Sequence, residues 1–397
     1  MIALGSLSKS ILGDFRQIDL SDGLDWPLVA MIGALISVGL IFCYSSSIAV
    51  AEADLGDSFY FLRRHLVYLF IGLGSALVVL QIPTAFLLRF SPQLLFLALV
   101  LLVIVLIPGV GISANGSRRW LGIGPLTFQV SEFAKVAMIL FISGYVIRRQ
   151  EELQAKWSGF SKPLAVLGMM LVLLLLEPDF GSSVVMTATV LGMLFLAGIH
   201  FARFMVCMVA GVAGLGYLVT TNEERVSRVT SFLDPWADQF NSGYQLTQAL
   251  IAFGRGEWFG VGLGNSLQKL FYLPEAHTDF VFAVIAEELG LVGVVLIIGL
   301  LWMVALRIMN IGRRAFHAGM SYSGYVCFGL AIMFVVQCFI NIGVASGLLP
   351  TKGLTLPFIS YGGSSLLMWM VSAAIVLRVD RELAWKAGQS GGKGSGA

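Results

Sequence analysis

The sequence predicts an all-α polytopic integral membrane protein, with ten transmembrane helices and one large extracytoplasmic loop containing an amphipathic helix. Three observations carry this. Of 397 residues, 57% are hydrophobic and 12% charged, against about 45–50% and about 25% in soluble domains. Mean hydropathy is +0.88. Apolar runs recur along the whole chain, most of them near the roughly 20 residues that a span needs.

In order, residues 1–25 read as a polar N-terminal tail holding Asp14, Arg16, Asp19, Asp22 and Asp25, with no cleavable signal peptide. Candidate spans follow at roughly 26–48, 65–82, 91–108, 128–147, 162–177, 179–199, 201–220, 283–309, 322–348 and 362–379. The fifth is short and ends at Glu177-Pro178-Asp179. That is a tight surface turn, because proline ends one helix and Asp179 caps the next. The membrane domain therefore covers 26–380. Residues 381–397 form a second tail, Gly/Ser-rich after Gly388 and expected to be disordered.

Ten spans put both termini on one side. Apart from Lys135, fifteen Lys and Arg fall on that side and nine on the other, which places the termini in the cytoplasm. The pairs Arg63-Arg64 and Arg118-Arg119, in short outer loops, run against this bias. A net charge of +2 without a basic cluster gives no reason to expect nucleic acid. Cys43, Cys207, Cys327 and Cys338 all lie in apolar runs and read as small buried hydrophobes, without disulfide or metal spacing.

The unusual sequence lies on the outer face. Residues 109–127 form a Gly-rich loop with Arg118, Arg119 and Trp120. Residues 221–278 form the one large loop, too long to be structureless. Within it Leu246, Ala249, Leu250 and Phe253 repeat at helical spacing, with Gln245, Thr247 and Gln248 opposite. That pattern is an amphipathic helix on, or dipping into, the membrane surface. Residues 349–365 form a third outer loop, rich in Gly, Pro and Ser.

The large loop ends in His277 and Asp279, and Glu287 and Glu288 follow at the edge of the eighth apolar run. A carboxylate there either meets water or serves the protein's interior. A helix cap at Thr278 or Asp279 is the plainer account, but it leaves the crowding of His277, Glu287 and Glu288 unexplained. Glu132 and Lys135 lie three residues apart inside the fourth span, within salt-bridge reach. Such a pair either marks a functional site or fixes helix packing. Arg118, Arg119, Arg228, Arg255, Lys269 and Lys352 are singly headgroup contacts. Together, beside a rim carboxylate, they suit an anionic lipid such as a pyrophosphate. Free backbone N–H groups at Gly362-Gly363-Ser364-Ser365, opening the last span, would also favour an anion. Gly260 to Gly264 resembles a phosphate loop only weakly, since no strand precedes it. Gly343 and Gly347 have the spacing of a helix-packing seam.

The stretches GVGLGNSLQKLFYLPEAHTDFVFAVIAEELG and LPTKGLTLPFISYGGSSLL closely resemble the SEDS proteins (shape, elongation, division and sporulation). GSRRWLGIG, QVSEFAKVA, EPDFGSS and FLDPWADQFNSGYQLTQALIAFGRG add to the match, which covers 26–380. Pro350 to Gly353 and Gly243 to Gln248 look like the division branch; Val130 stands where proline is common. The resemblance implies a ten-span peptidoglycan glycosyltransferase of the bacterial inner membrane, acting at the division septum. It would polymerise lipid II outside the membrane, with Asp279 in the place of the family's essential aspartate and Glu132 and Lys135 in those of its fourth-helix pair. His277 and Ser364 join the cations as substrate-binding or cavity candidates. The implied partners are the class B penicillin-binding protein FtsI and the FtsQ, FtsL and FtsB proteins. Dependence on a divalent cation (Mg or Mn) is expected from the family, although no metal-ligand set is evident. Two other classes are weighed: a lipid II flippase, which would place polar residues near the midplane, and a non-catalytic division scaffold.

Overall fold

The computed structural model describes residues 23–391 except 115, 116, 125, 221, 222 and 352. Residues 1–22 of the predicted N-terminal tail, 392–397 of the predicted C-terminal tail, and Lys352 lie outside the described residues, whereas 381–391, expected to belong to the C-terminal tail, continue the last helix. Helix α1 (Trp26–Leu55) starts where Asp25 accepts the Leu28 N–H at 3.0 Å, with a proline in its first turn, and stops at Gly56 in the left-handed conformation. Helices α2 (Tyr60–Val79) and α3 (Thr84–Leu106) follow, then α4 (Val130–Arg148), the short α5 (Gln150–Ala155), α6 (Trp157–Leu176), α7 (Phe180–Leu196), α8 (Phe201–Thr220), α9 (Glu223–Leu233) and α10 (Tyr244–Gly256). A single π turn at Gln268–Tyr272 leads to α11 (Val281–His317), α12 (Ser321–Ala345) and α13 (Gly363–Gly391).

Eight of these helices are long and apolar enough to cross a membrane. The sixth and seventh predicted spans correspond to α7 and α8, whose qualifying apolar stretches are shorter, Phe180–Leu196 and Phe201–Gly211. Asp179 does cap α7, accepting from the Ser182 N–H at 3.1 Å. The bundle is built around α4, α12 and α13. In the most apolar stretch of α4, 78% of residues are buried, against 17% in α2. Glu132 and Lys135, on α4, therefore face protein rather than lipid.

The expectation of an all-α fold needs one correction. The Gly-rich loop at 109–127 is a small antiparallel sheet, β1 (Gly111–Ala114), β2 (Ser117–Ile123) and β3 (Leu126–Gln129), in the order β1-β2-β3. Its strands pair Ile112 with Trp120 and Leu121 with Phe128, with a bulge after Ile112. The strands are too short, and too interrupted by glycine, for a period-two pattern to show.

The large outer loop folds onto α11 rather than lying apart from the bundle. In α10, Leu246, Ala249 and Ala252 are buried, and the Phe253 ring lies 6.1 Å from that of Phe282. Thr247, expected on the polar side, is buried too, bonded to the carbonyls of Pro235 and Gly243. Helix α11 is broken at Gly290 (φ 65, ψ −169). The loop supplies the missing backbone partners there. Val261 and Gly262 donate to the carbonyls of Glu287 and Glu288, and Leu291 and Val292 donate to those of Glu257 and Trp258. Gly347 lies beyond the end of α12 at φ 75, so Gly343 and Gly347 form a helix terminus and not a packing seam. Leu348 closes it by donating to the Gly343 carbonyl at 2.7 Å.

At the end of the bundle opposite Asp279, charges tie the helices together. Arg307 donates to Asp25 at 2.7 Å, Arg314 to Asp380 at 2.5 Å, and Thr84 N–H to Glu382 at 2.8 Å.

Candidate active site

Asp279 lies in the turn that precedes α11. The helix cap is Phe280, and no side chain caps it, so neither Thr278 nor Asp279 serves the capping role. Thr278 instead donates to the Glu275 carboxylate at 2.7 Å. The Asp279 carboxyl lies against Gly353, where a Cβ would sit 2.8 Å from Oδ2. Any other residue at 353 would displace it. Burial pushes the Asp279 carboxyl up to about 7, helped by the negative Glu275 and opposed by the Arg119 guanidinium. Among the described residues no donor is bonded to it. The result is a half-buried, desolvated carboxylate with its lone pairs free.

Two amides on α12 fix this carboxylate's surroundings. Asn341 donates from Nδ2 to the Asp279 carbonyl at 3.0 Å and to the Leu354 carbonyl at 2.5 Å. One turn away, Gln337 donates from Nε2 to the Thr355 carbonyl at 3.0 Å. The Gln337 Oε1 accepts from Lys135 at 2.8 Å, and Lys135 also pairs with Glu132 at 2.8 Å. Both members of the pair are buried, at 5% and 2% exposure for Glu132 and Lys135. Neither Gln337 nor Asn341 was picked out from the sequence. The signal was there: two amides four residues apart, hence on one face, in an otherwise apolar run.

Arg119, on β2, donates to the carbonyls of Glu177 (3.3 Å) and Pro178 (2.6 Å). This brings its charge to the turn between α6 and α7. Arg118, its neighbour, points the other way, is exposed, and among the described residues bonds Ser113. Glu177 is fully buried, and neither carboxylate oxygen has a hydrogen-bond partner among the described residues. Burial and the adjacent Asp179 push its carboxyl up to about 8, against the pull of Arg119. Asp179 accepts from Ser131 at 2.8 Å, locking the start of α7 to α4. Ser364 accepts from the Gln129 N–H at 2.8 Å and donates to the Thr127 carbonyl at 3.2 Å, so its hydroxyl joins α13 to β3.

The remaining candidates serve the loop. Glu287 accepts from Arg255 and Ser266 and from two backbone N–H groups. Glu288 accepts from Lys269 at 2.7 Å, Ser45 at 3.0 Å and the Gly264 N–H at 2.9 Å. Lys269 also donates to Ser45. Both glutamates are thus spent on seating 257–273, and the Gly260–Gly264 run turns its N–H groups to the protein's own oxygens. His277 packs with Phe61 (4.7 Å between centroids) and Tyr361 (5.6 Å), and its carbonyl accepts the Tyr361 N–H. Burial holds its imidazole below the usual range despite the nearby Glu275. Among the described residues, no three His, Cys, Asp or Glu gather with metal-binding geometry.

Comparison with known proteins adds a second line. Residues 26–384 match the family of FtsW, RodA and SpoVE, described as "Cell cycle protein". A protein of Saccharophagus degradans, named "Probable peptidoglycan glycosyltransferase FtsW", is 52% identical over 91% of this chain and 93% of its own. One of Legionella pneumophila with the same name is 50% identical over 94% of each. A chain in a solved structure titled "Structural coordination of polymerization and crosslinking by a peptidoglycan synthase complex" matches with a TM-score of 0.76 at 29% identity, covering 92% of this chain and 99% of that one.

Proposed function

The chain belongs to the FtsW, RodA and SpoVE family of cell cycle proteins, the SEDS family, and from that membership we infer that it is a peptidoglycan glycosyltransferase. It is a multi-pass membrane enzyme. The observation that carries the finer reading is Asp279: a desolvated carboxylate, free of hydrogen bonds among the described residues, whose backbone is held by Asn341.

The substrate we propose is lipid II, and the reaction is a single displacement. The 4-hydroxyl of an acceptor GlcNAc attacks C1 of a donor MurNAc. The O4–C1 bond forms as the bond from C1 to the pyrophosphate oxygen breaks. The hydroxyl proton passes to Asp279, and undecaprenyl pyrophosphate leaves with the bonding pair. An α-linked donor becomes a β-1,4 product, so inversion in one step suffices. A neutral hydroxyl is a poor nucleophile; a positioned base contributes about 10²–10⁴-fold, most effectively with a pKa near the working pH. Arg119 is the cation best placed to balance developing negative charge, with Lys352 a second candidate. Lys269 acts instead by holding the loop through Glu288. The described residues do not form a metal cage. A divalent cation (Mg or Mn) stays a proposal, tested by whether chelation stops polymerisation.

The eight long helices together with α7 and α8 make ten spans in this reading, with both termini in the cytoplasm and Asp279 on the outer face. A relative-like chain in a complex that joins polymerization to crosslinking supports a crosslinking partner; we propose the class B penicillin-binding protein FtsI, with FtsQ, FtsL and FtsB, at the septum. The deciding experiment is glycan-strand formation from labelled lipid II by the purified protein with its transpeptidase, wild type against Asp279→Asn. Polymer in the wild type alone is the expected result. Polymer in both would remove Asp279 as base, and polymer in neither, with lipid II scrambling in vesicles, would replace the enzyme by a flippase.

A further inference from the structure

The buried Glu132–Lys135 pair admits two roles, contact with substrate or control of the protein's own geometry, and the hydrogen bonds around it favour the second. We propose that Gln337 and Asn341 are positioning residues that couple this ion pair to Asp279 through the backbone of Leu354 and Thr355. The proposal rests on the glycosyltransferase reading.

Every link is a short contact. Lys135 Nζ has two acceptors, Glu132 Oε1 and Gln337 Oε1, each at 2.8 Å. Its charge is therefore turned toward protein groups. Gln337 is wholly buried, and with Oε1 committed to Lys135 its amide is oriented, so Nε2 must face the Thr355 carbonyl. Asn341 grips the adjoining Leu354 carbonyl and the Asp279 carbonyl with one nitrogen. The two successive peptides flanking Thr355 are thus each held by one face of α12, through the Leu354 and Thr355 carbonyls. Gly353, next in the chain, is the residue against which the Asp279 carboxyl rests.

Asn341 also carries a cost that plain packing would avoid. It is 1% exposed, and its Oδ1 has no hydrogen-bond partner among the described residues. An unsatisfied buried acceptor destabilises the fold, because it gives up hydration without a replacement partner. Leucine would fill such a site in an apolar helix without that penalty. An amide there makes sense for the two carbonyls it holds, one of which belongs to Asp279.

The test uses Lys135→Met, Gln337→Met and Asn341→Leu, singly and paired, in the full-length protein with its transpeptidase, assayed on labelled lipid II. Each single variant should lower kcat about 10- to 100-fold, the scale of a misplacement near one ångström, with KM changed by less than about threefold. Lys135→Met and Asn341→Leu should be non-additive although the two side chains do not touch, as for residues that act as one unit. A raised KM with kcat preserved in Lys135→Met would make Lys135 a substrate contact and overturn the proposal, as would additive losses. Amide exchange supplies a readout apart from activity. Gln337→Met should speed exchange in both 274–281 and 353–362; unchanged exchange overturns the coupling. If the wild type makes no polymer, the glycosyltransferase reading falls and exchange still judges the coupling. Should Lys135→Met insert poorly, Glu132→Met with Lys135→Met removes both charges at little cost in stability and must still lose kcat.

Discussion

Asn341 donates to the main-chain carbonyl of Asp279 across 3.0 Å, while the Asp279 carboxylate accepts no hydrogen bond from any described residue. The backbone is pinned and the side chain is left free. A structural aspartate shows the opposite pattern, as Asp179 does when it caps α7 and accepts from Ser131. The contrast separates a carboxylate that builds the fold from one left without a donor among the described residues, as a general base requires.

The raised Asp279 carboxyl fixes the pH dependence. A base must be ionised, so kcat/KM should fall on acidification with a midpoint near 7. Glu275 raises the Asp279 pKa and Arg119 lowers it. Glu275→Gln should therefore move the acid limb to lower pH, and Arg119→Gln should move it to higher pH. Polymerisation rates across pH for the three proteins check both signs; shifts in the same direction would refute the arrangement.

Stability should move against activity. The folded protein holds protons on Asp279 and Glu177 up to about 7 and about 8, where ordinary carboxyls are ionised above about 4. Between those limits the folded state binds more protons than the unfolded one, so stability falls as pH rises. Asp279→Asn and Glu177→Gln should each flatten that decline. Their melting temperatures should match the wild type near pH 4 and exceed it near pH 8. A melting curve that gains nothing at high pH in either variant would contradict the desolvation argument.

Much of this architecture is legible in composition and spacing. The run lengths mark out the helices, the Asp179 cap follows from one proline and one aspartate, and Glu132 and Lys135 announce their pairing by a spacing of three. The failures share a cause: they depend on partners far away in sequence. Glu287 and Glu288 look like site residues beside His277, yet they bind side chains 32 and 19 residues earlier, Arg255 and Lys269. Ser364 looks like an anion donor, yet it serves β3. Gln337 and Asn341 look like isolated polar residues until the carbonyls of Asp279, Leu354 and Thr355 are brought to them. A single chain shows which groups are unusual for their surroundings, but not which distant backbone will claim them.

The ion pair should respond asymmetrically to substitution. Removing one partner leaves a buried uncompensated charge and costs about 3–5 kcal/mol, whereas replacing both with apolar residues of similar size is close to neutral. Lys135→Met alone should therefore depress the melting temperature more than Lys135→Met combined with Glu132→Met. Thermal unfolding in the same detergent checks this, and a double variant less stable than either single one would show that the pair itself stabilises the bundle.

The break at Gly290 makes the sharpest demand on the outer loop. Its φ of 65 suits glycine, and a Cβ there would lie 2.3 Å from the Gly260 nitrogen. From the other side, a Cβ at Gly260 would lie 2.1 Å from the Glu288 carbonyl. Both contacts are with backbone, so no rotamer change relieves them. The loop lies this close because its N–H and carbonyl groups replace those missing from the broken helix. Gly290→Ala should therefore cost at least about 2–3 kcal/mol, from strain and from displaced hydrogen bonds. Gly299→Ala, in the same helix with open space around it, should be neutral or stabilise by up to about 1 kcal/mol. Displacing the loop should expose 257–273 to protease in Gly290→Ala and not in Gly299→Ala. Because Lys269 and Arg255 are tied to α11 through Glu288 and Glu287, the same variant should loosen both ion pairs. Equal protease resistance in the two variants would mean that these carboxylates, and not the backbone seam, hold the loop.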